Sequence, residues 1–175
     1  MSNLLRWITG TLALAAVVHF AVIIAYPRIA MNRLMDQIED RAGGPNRAVY
    51  PPRPDHESRR VVRPSPDLFY AICVFDAGDG PVHVRAPAAD SYWSVSFYGA
   101  GTGNFYVIGR APAGKEQVDV VLAKQGTDVT EIPYPVLTPP TSRGVALYRV
   151  LIDREERLTA LDRLRKRMEC RPLGG

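Results

Sequence analysis

The first apolar segment of the chain runs from Ile8 to Pro27 and has no acidic or basic side chain apart from His19. A helix of this length spans roughly 30 Å, which is the thickness of a bilayer's hydrocarbon core. Trp7 and Tyr26 bracket the segment, and such amphipathic rings favour the headgroup level. The pattern therefore predicts an N-terminal transmembrane helix that anchors the chain through residues 1–28.

A cleaved signal peptide is the alternative interpretation of this segment. Its apolar region would normally have about 7–15 residues and would end in a small-x-small cleavage site. The best cleavage point here follows Ala25, but Ile23 occupies one of the small-residue positions and Pro27 lies just beyond. We therefore expect an uncleaved signal anchor and a single-pass membrane protein.

Residues 29–44 continue the helical period beyond the apolar run. Met31, Leu34, Met35 and Ile38 share one helical face, and the Gly-Gly-Pro sequence at 43–45 predicts the end of this juxtamembrane helix. The apolar face could lie on lipid, pair with a partner or pack on its own domain, and packing is the commonest of the three. Residues 45–66 then form a connector rich in proline and arginine. It is too proline-rich for regular structure, except for a short strand at Arg60–Arg63.

From Asp67 onward the apolar period changes to two, which is typical of β-strands. Both faces of segment 68–75 are apolar, so it is predicted as a central strand covered on both sides. Further strands are predicted over 81–85, 91–98, 104–108, 118–123 and 145–152, with a hairpin turn at 78–80. About six strands joined by Gly- and Pro-rich turns predict a mainly β domain over residues 67–175, as a sandwich or open barrel.

The C-terminal segment Asp153–Glu169 has the pattern of an amphipathic helix. Asp153 is suited to cap its N-terminus, with Glu156 three residues further on. The predicted buried stripe consists of Leu158, Leu161, Leu164 and Met168.

Charge and cysteine content bear on the compartment. The chain has 22 Lys and Arg against 18 Asp and Glu, a modest excess that, beside a membrane helix, argues against nucleic acid binding. Three arginines follow the anchor closely and only Arg6 precedes it, which mildly favours a cytoplasmic domain. Cys73 and Cys170 are an even pair far apart in sequence, which suits a single disulfide; the alternative is two reduced, buried thiols. A disulfide would require an oxidising compartment, and we therefore expect a periplasmic domain.

No motif specifies a reaction, a cofactor or a metal site. The three histidines lie in the membrane helix, a loop and a strand, without the spacing of metal ligands. The remaining candidate is a polar and aromatic face, composed of Asp67, Tyr70, Tyr92, Tyr98 and Asn104. Tyrosine rings and hydroxyls could line a ligand pocket there, or the residues could form the solvent- or partner-facing side of a sheet.

Two stretches of the sequence resemble a known bacterial family. They are the run from Arg63 to Tyr70 (RPSPDLFY) and the run from Tyr92 to Tyr98 (YWSVSFY), which is followed by Asn104-Phe105. The sequence is similar to the family catalogued as domain of unknown function 1254, in a short membrane-anchored branch. The resemblance implies a mostly β domain and no established activity. Longer relatives carry a companion domain of unknown function 1214, so the resemblance also implies a separately encoded companion for this chain.

These observations predict a bacterial inner-membrane protein that presents a periplasmic β-domain as a binding or assembly module. Its partner would be another envelope protein, contacted through an unpaired sheet edge or through the face formed by Met31, Leu34 and Ile38. The alternative is an envelope enzyme or small-ligand-binding protein that uses the polar and aromatic face. Without a catalytic motif, the sequence favours the binding module.

Overall fold

The computed structural model describes residues 2–58 and 63–173 and contains two β-sheets that share one core. The five-stranded sheet has the order β1-β2-β8-β4-β5 and the four-stranded sheet the order β7-β6-β3-β9. The strands are β1 (Arg47–Val49), β2 (Leu68–Asp76), β3 (Val82–Pro87), β4 (Trp93–Gly99), β5 (Asn104–Ile108), β6 (Gln117–Leu122), β7 (Val136–Leu137), β8 (Arg143–Leu151) and β9 (Glu169–Pro172). This architecture confirms the predicted mainly β fold, with more strands than the six expected.

The anchor and the juxtamembrane segment form one helix, α1, from Asn3 to Ala42. Ser2 caps its N-terminus, and Gly43 ends it in the left-handed conformation with φ of 75°, which a glycine adopts without strain. Pro27 lies inside the helix, and the helical assignment continues through it. The side chains before Ala30 are exposed, and this part of α1 is long and apolar enough to cross a membrane.

The last turns of α1 pack on the outer face of the five-stranded sheet. Met35 and Ile38 are buried there against Val74 of β2 and Val145 of β8. The guanidinium of Arg143 fixes the helix to the sheet, because its Nη2 lies 2.7 Å from an Asp36 oxygen and 2.8 Å from a Glu39 oxygen. The apolar face of the juxtamembrane segment therefore packs on its own domain.

The core lies between the two sheets and is closed by a disulfide. Phe75, Phe97 and Tyr148 fill its centre, and the Tyr148 hydroxyl donates a 2.6 Å hydrogen bond to the Pro87 carbonyl on the opposite sheet. Cys73 of β2 and Cys170 of β9 are bonded to each other across this core, with their Cα atoms 6.3 Å apart. The predicted disulfide is therefore present, and it joins the centre of one sheet to an edge strand of the other.

The hairpin predicted at residues 78–80 is wrong. β2 pairs with β1 and β8, whereas β3 pairs with β6 and β9, so the turn carries the chain from one sheet to the other. Asp76 accepts a 2.8 Å hydrogen bond from the Gly78 amide, and the Ala77 amide donates to the Ser142 carbonyl. These bonds direct the chain away from the five-stranded sheet. An Asp-Gly pair in the sequence fits such a turn as well as it fits a hairpin.

The expectation that the connector lacks regular structure is also wrong at one point. Strand β1 lies within it. Asn46 turns the chain at a φ of 57°, and its side-chain amide both donates a hydrogen bond to the Asp76 carbonyl and accepts one from the Asp76 amide. The short strand predicted for Arg60–Arg63 falls mostly on residues 59–62, which are outside the described part of the chain; Arg63 itself is not in a strand.

The C-terminal helix is shorter than predicted. A single 3₁₀ turn at Glu155–Arg157 precedes α2, which covers Leu158–Arg165. Asp153 does not cap the helix; its carboxylate instead accepts a 2.7 Å bond from Arg157. Met168 is buried as predicted but lies beyond the helix, because Cys170 is drawn into β9 by pairing with β3 and by the disulfide.

Candidate functional site

The five residues of the predicted polar and aromatic face do not converge on one site. Asp67, Tyr70 and Tyr92 lie at the end of the five-stranded sheet where β2 and β4 begin. Tyr98 and Asn104 pair with each other at the other end of β4. Tyr98 lies six positions after Tyr92 along an extended chain, which corresponds to roughly 20 Å. A single small ligand could not touch both groups.

The two groups also differ in what surrounds them. Tyr98 packs against the apolar cluster under α1, and Asn104 is exposed on the edge strand. At the other end, the Tyr70 hydroxyl accepts a 3.0 Å bond from the Ser65 amide. Tyr92 is 55% exposed, and its hydroxyl donates to Ser94 Oγ at 3.3 Å. This second end combines several hydrogen-bonded polar groups with an exposed aromatic ring.

Arg149 of β8 lies between these tyrosines and organises the polar end of the sheet. The strand register places it directly opposite Tyr70 on one side and Ser94 on the other. Its Nε donates to Ser94 Oγ at 3.2 Å and its Nη2 donates to Ser96 Oγ at 3.1 Å. We define the Arg149 site by five residues: Tyr70, Tyr92, Ser94, Ser96 and Arg149.

Sequence reasoning missed Arg149 although a signal was present. In the strand predicted over 145–152, Ala146, Tyr148 and Val150 alternate inward, which places Arg149 on the opposite face. A charged residue in an otherwise apolar strand is unusual. Its position between Tyr70 and Ser94 depends on the strand order, which the local pattern does not determine.

A second polar cluster lies on the outer face of the four-stranded sheet. Asp119 of β6 accepts hydrogen bonds from His83 Nε2 at 2.9 Å and from Arg85 Nε at 2.8 Å, both on Oδ1. Its Oδ2 accepts from Gln117 at 2.9 Å. The ring of Tyr134 stacks on the His83 ring with centroids 4.7 Å apart, and the side chain of His83 is 1% exposed. We call these residues the His83 cluster.

The electrostatics of the His83 cluster favour a neutral histidine beside an ionised aspartate. Burial lowers the pKa of His83, although the hydrogen bond to Asp119 partly offsets the effect. Burial alone would raise the pKa of Asp119, but hydrogen bonds from Arg85 and Gln117 outweigh it and lower that pKa. With Nε2 protonated toward Asp119, His83 Nδ1 is an acceptor, and it is buried without a hydrogen-bond partner.

The His83 cluster is closed to ligands in this structure. Tyr134 covers the imidazole, and Asp119 has all its polar contacts within the cluster. A shallow depression of about 340 Å³ beside Arg85 is lined partly by Lys166 and Glu169. Two of its lining cations are compensated, since Arg85 pairs with Asp119 and Lys166 pairs with Asp162, and the exposed Arg167 is the third. Across residues 2–58 and 63–173, no three side chains of His, Cys, Asp or Glu are grouped so that they could hold a metal ion.

The edge strand β5 offers a surface of a different kind. It pairs with β4 on one side only. Tyr106 and Val107 are 44% and 53% exposed on it. The other edge of this sheet, β1, has three residues and contacts α1 and β9. β5 is therefore the sheet edge with both length and exposed apolar side chains.

These features define a class: a two-sheet β domain carried on a long apolar helix, with polar clusters on both outer faces. The chain belongs to the family described as protein of unknown function (DUF1254), whose model matches residues 45–172. The resemblance noted from the sequence is thereby confirmed at the level of the family. No curated protein shows a significant match to the sequence.

Two solved structures are similar to this chain. The VPA0106 protein from Vibrio parahaemolyticus matches with a TM-score of 0.65 at 16% identity, over 87% of this chain and 37% of its own. An uncharacterized protein from Burkholderia cenocepacia matches with a TM-score of 0.50 at 14% identity, over 82% of this chain and 40% of its own. At these identities the likeness concerns the fold alone. The chain spans less than half the length of each.

Proposed function

We propose that this protein is a single-pass protein of the bacterial inner membrane, from the membrane-anchored branch of its family. Its sandwich stands in the periplasm and acts there as a binding or assembly module for another envelope protein. The observation that carries the proposal is the edge strand β5, which among the described residues pairs on one side only, whereas the opposite edge strand β1 contacts α1 and β9.

Two features support the location. The exposed half of α1 is apolar over a length that suits a bilayer, and amphipathic rings of Trp7 and Tyr26 stand at its ends. The Cys73–Cys170 disulfide ties the two sheets together, and structural disulfides persist in oxidising compartments such as the periplasm. A domain on the outer side of the inner membrane satisfies both features.

The sequence suggested two contact surfaces, an unpaired sheet edge and an apolar helix face, and the helix face is already occupied. The face of Met31, Leu34 and Ile38 is occupied by the domain's own sheet. β5 retains free backbone groups along five residues and presents Tyr106 and Val107 beside them. An extended segment of a partner can add to such an edge by main-chain hydrogen bonds, with the exposed side chains giving specificity.

The partner we propose is a companion protein of the domain of unknown function 1214. The two similar structures extend well beyond the part that this chain matches, which is consistent with a fold that normally works beside a further domain. A companion protein docked at β5 would place a further domain beside the sandwich. The alternative, a small-ligand-binding protein, is favoured only at the Arg149 site.

The test is site-specific photo-crosslinking in native membranes, with a benzophenone side chain in place of Val107. We expect an adduct with a separate envelope protein from this position and none from Gln125, which is also exposed, in the loop that follows β6 of the other sheet. In copurification, Val107→Lys should release the partner and the matched variant Gln125→Lys should retain it. Retention of the partner by Val107→Lys, or adducts only between copies of this chain, would contradict the proposal.

A further inference from the structure

We propose that the Arg149 site binds a small organic monocarboxylate with an apolar body. The inference does not depend on pairing at β5. It begins with the charge of Arg149, because no anionic side chain pairs with this cation among residues 2–58 and 63–173.

Arg149 is an exception among the shielded arginines of the protein. Five described arginines are buried or half-buried, and they are Arg85, Arg143, Arg149, Arg157 and Arg165. Four of them form ion pairs with Asp119, Asp36 and Glu39, Asp153, and Asp162, respectively. Within the described residues Arg149 donates only to the neutral hydroxyls of Ser94 and Ser96. A partly desolvated guanidinium without a counter-charge favours an anionic ligand.

The hydroxyl groups around Arg149 reinforce this preference. Ser94 Oγ accepts from both Arg149 and the Tyr92 hydroxyl, and the Tyr70 hydroxyl accepts from the Ser65 amide. Because these oxygens already act as acceptors, their own hydrogens remain to be donated. Ser94 and Ser96 are themselves buried, at 2% and 1% exposure, so the site presents chiefly one half-buried guanidinium, which suits an acceptor-only group and would repel a metal ion.

The number of charges and the shape of the surroundings narrow the ligand class. One guanidinium matches one carboxylate in a planar, two-bond arrangement, whereas a doubly charged phosphate is better matched by several cations. The strand neighbours of Arg149 on the same outer face include Leu147 and Leu151 as well as Tyr70. The exposed ring of Tyr92 adds further apolar area. A single carboxylate on an apolar or aromatic body fits these features.

The test uses benzoate as the probe and benzamide as its neutral counterpart, with the full chain in detergent micelles. The readout is the Nε–Hε nuclear magnetic resonance signal of Arg149, identified by its loss in Arg149→Gln. We expect benzoate to shift this signal saturably and benzamide to leave it in place. Arg149→Gln should weaken benzoate binding by at least about tenfold, as followed on the backbone amides of β4.

Arg85→Gln is the matched control, because it removes an equivalent guanidinium whose charge is already compensated. It should leave benzoate affinity unchanged. Should Arg149→Gln fail to fold, Ser94→Ala replaces it and should weaken binding severalfold. The proposal is overturned if benzoate causes no saturable shift, if benzamide shifts the Arg149 signal equally, or if Arg85→Gln weakens binding as much as Arg149→Gln.

Discussion

The two outer faces of the sandwich each carry a half-buried arginine, in opposite electrostatic situations. Arg85, on the four-stranded sheet, is 2.8 Å from Asp119 and 3.7 Å from Glu169. Arg149, on the five-stranded sheet, has only serine hydroxyls as hydrogen-bond partners in the part of the chain that the structure describes. Both residues lie on central strands, so their different partners do not follow from position in a sheet.

The difference separates a structural role from a binding role. In the His83 cluster the carboxylate of Asp119 pairs with the guanidinium of Arg85 and accepts a hydrogen bond from His83, and the Tyr134 ring covers the imidazole. Such a network stabilises the sheet and leaves little capacity for a ligand. At the Arg149 site no carboxylate of the described residues pairs with the guanidinium, which is therefore available to an anionic ligand. A half-buried cation without a counter-charge therefore indicates a ligand site, and variants of Arg85 and Arg149 test this difference.

The largest expected effect concerns the link between the two sheets. Replacing both cysteines, Cys73→Ala with Cys170→Ala, should lower the free energy of unfolding by on the order of 4 kcal/mol and the midpoint temperature by about 10 °C. The loss arises because the disulfide closes a separation of 97 residues, and it should affect both faces together. Thermal unfolding with and without reductant measures it.

Thiol labelling of denatured membranes is the matching control for this prediction. The natural protein should resist labelling until it is reduced, and reductant should leave the stability of the double variant unchanged. Full labelling before reduction would show that the two cysteines are not bonded to each other in the membrane, and the main support for a periplasmic domain would be lost.

The next largest effect should be a difference in the free energy of unfolding between variants of Arg85 and Arg149. Arg85→Gln removes the strongest partner of Asp119 and should cost about 1–3 kcal/mol, since a partly buried carboxylate loses a charged hydrogen bond. Arg149→Gln leaves no carboxylate unpaired and should cost less than about 1 kcal/mol. Denaturant unfolding of the two variants gives the comparison directly. Equal costs would show that Arg149 is as structural as Arg85.

The smallest effect should be a pH dependence that comes from His83. Its pKa in the folded protein is lowered by burial, so the unfolded chain takes up the proton first as the pH falls. The stabilising contribution is therefore complete above the unfolded pKa of about 6.5 and is lost as the pH falls through the lower folded value. His83→Phe keeps a ring against Tyr134 and should flatten this dependence between about pH 7.5 and 5.5.

The control for the histidine prediction is His56→Gln, at a histidine exposed in the connector. This variant should keep the natural pH dependence of the midpoint temperature. An unchanged slope in His83→Phe would instead assign the pH dependence to the carboxylates.

Elements set by local pattern could be predicted from the sequence, and elements set by pairing between distant segments could not. The strand at Asn104–Ile108 and the two-sided strand β2 follow from their apolar period. β1 and β9 were missed because each is held by a distant partner, through Asn46 in one case and the Cys73–Cys170 bond in the other. Likewise the local pattern places Tyr70 and Tyr92 on a candidate polar and aromatic face, but finding Arg149 between them requires the strand order. The His83–Asp119 contact required the register of β3 with β6.

The continuity of α1 has a consequence for how a partner could reach the sandwich. Met35 is fully buried against the sheet, and it lies only about 14 Å along the helix axis from Tyr26, which marks the proposed lipid boundary. The domain then stands on a short stem clamped by Arg143, without a flexible tether. A partner confined to the same membrane would search for β5 in two dimensions at nearly constant height. A freely diffusing protein would have to enter that thin layer first, so in the proposed topology a short rigid stem would favour partners that are themselves attached to the membrane.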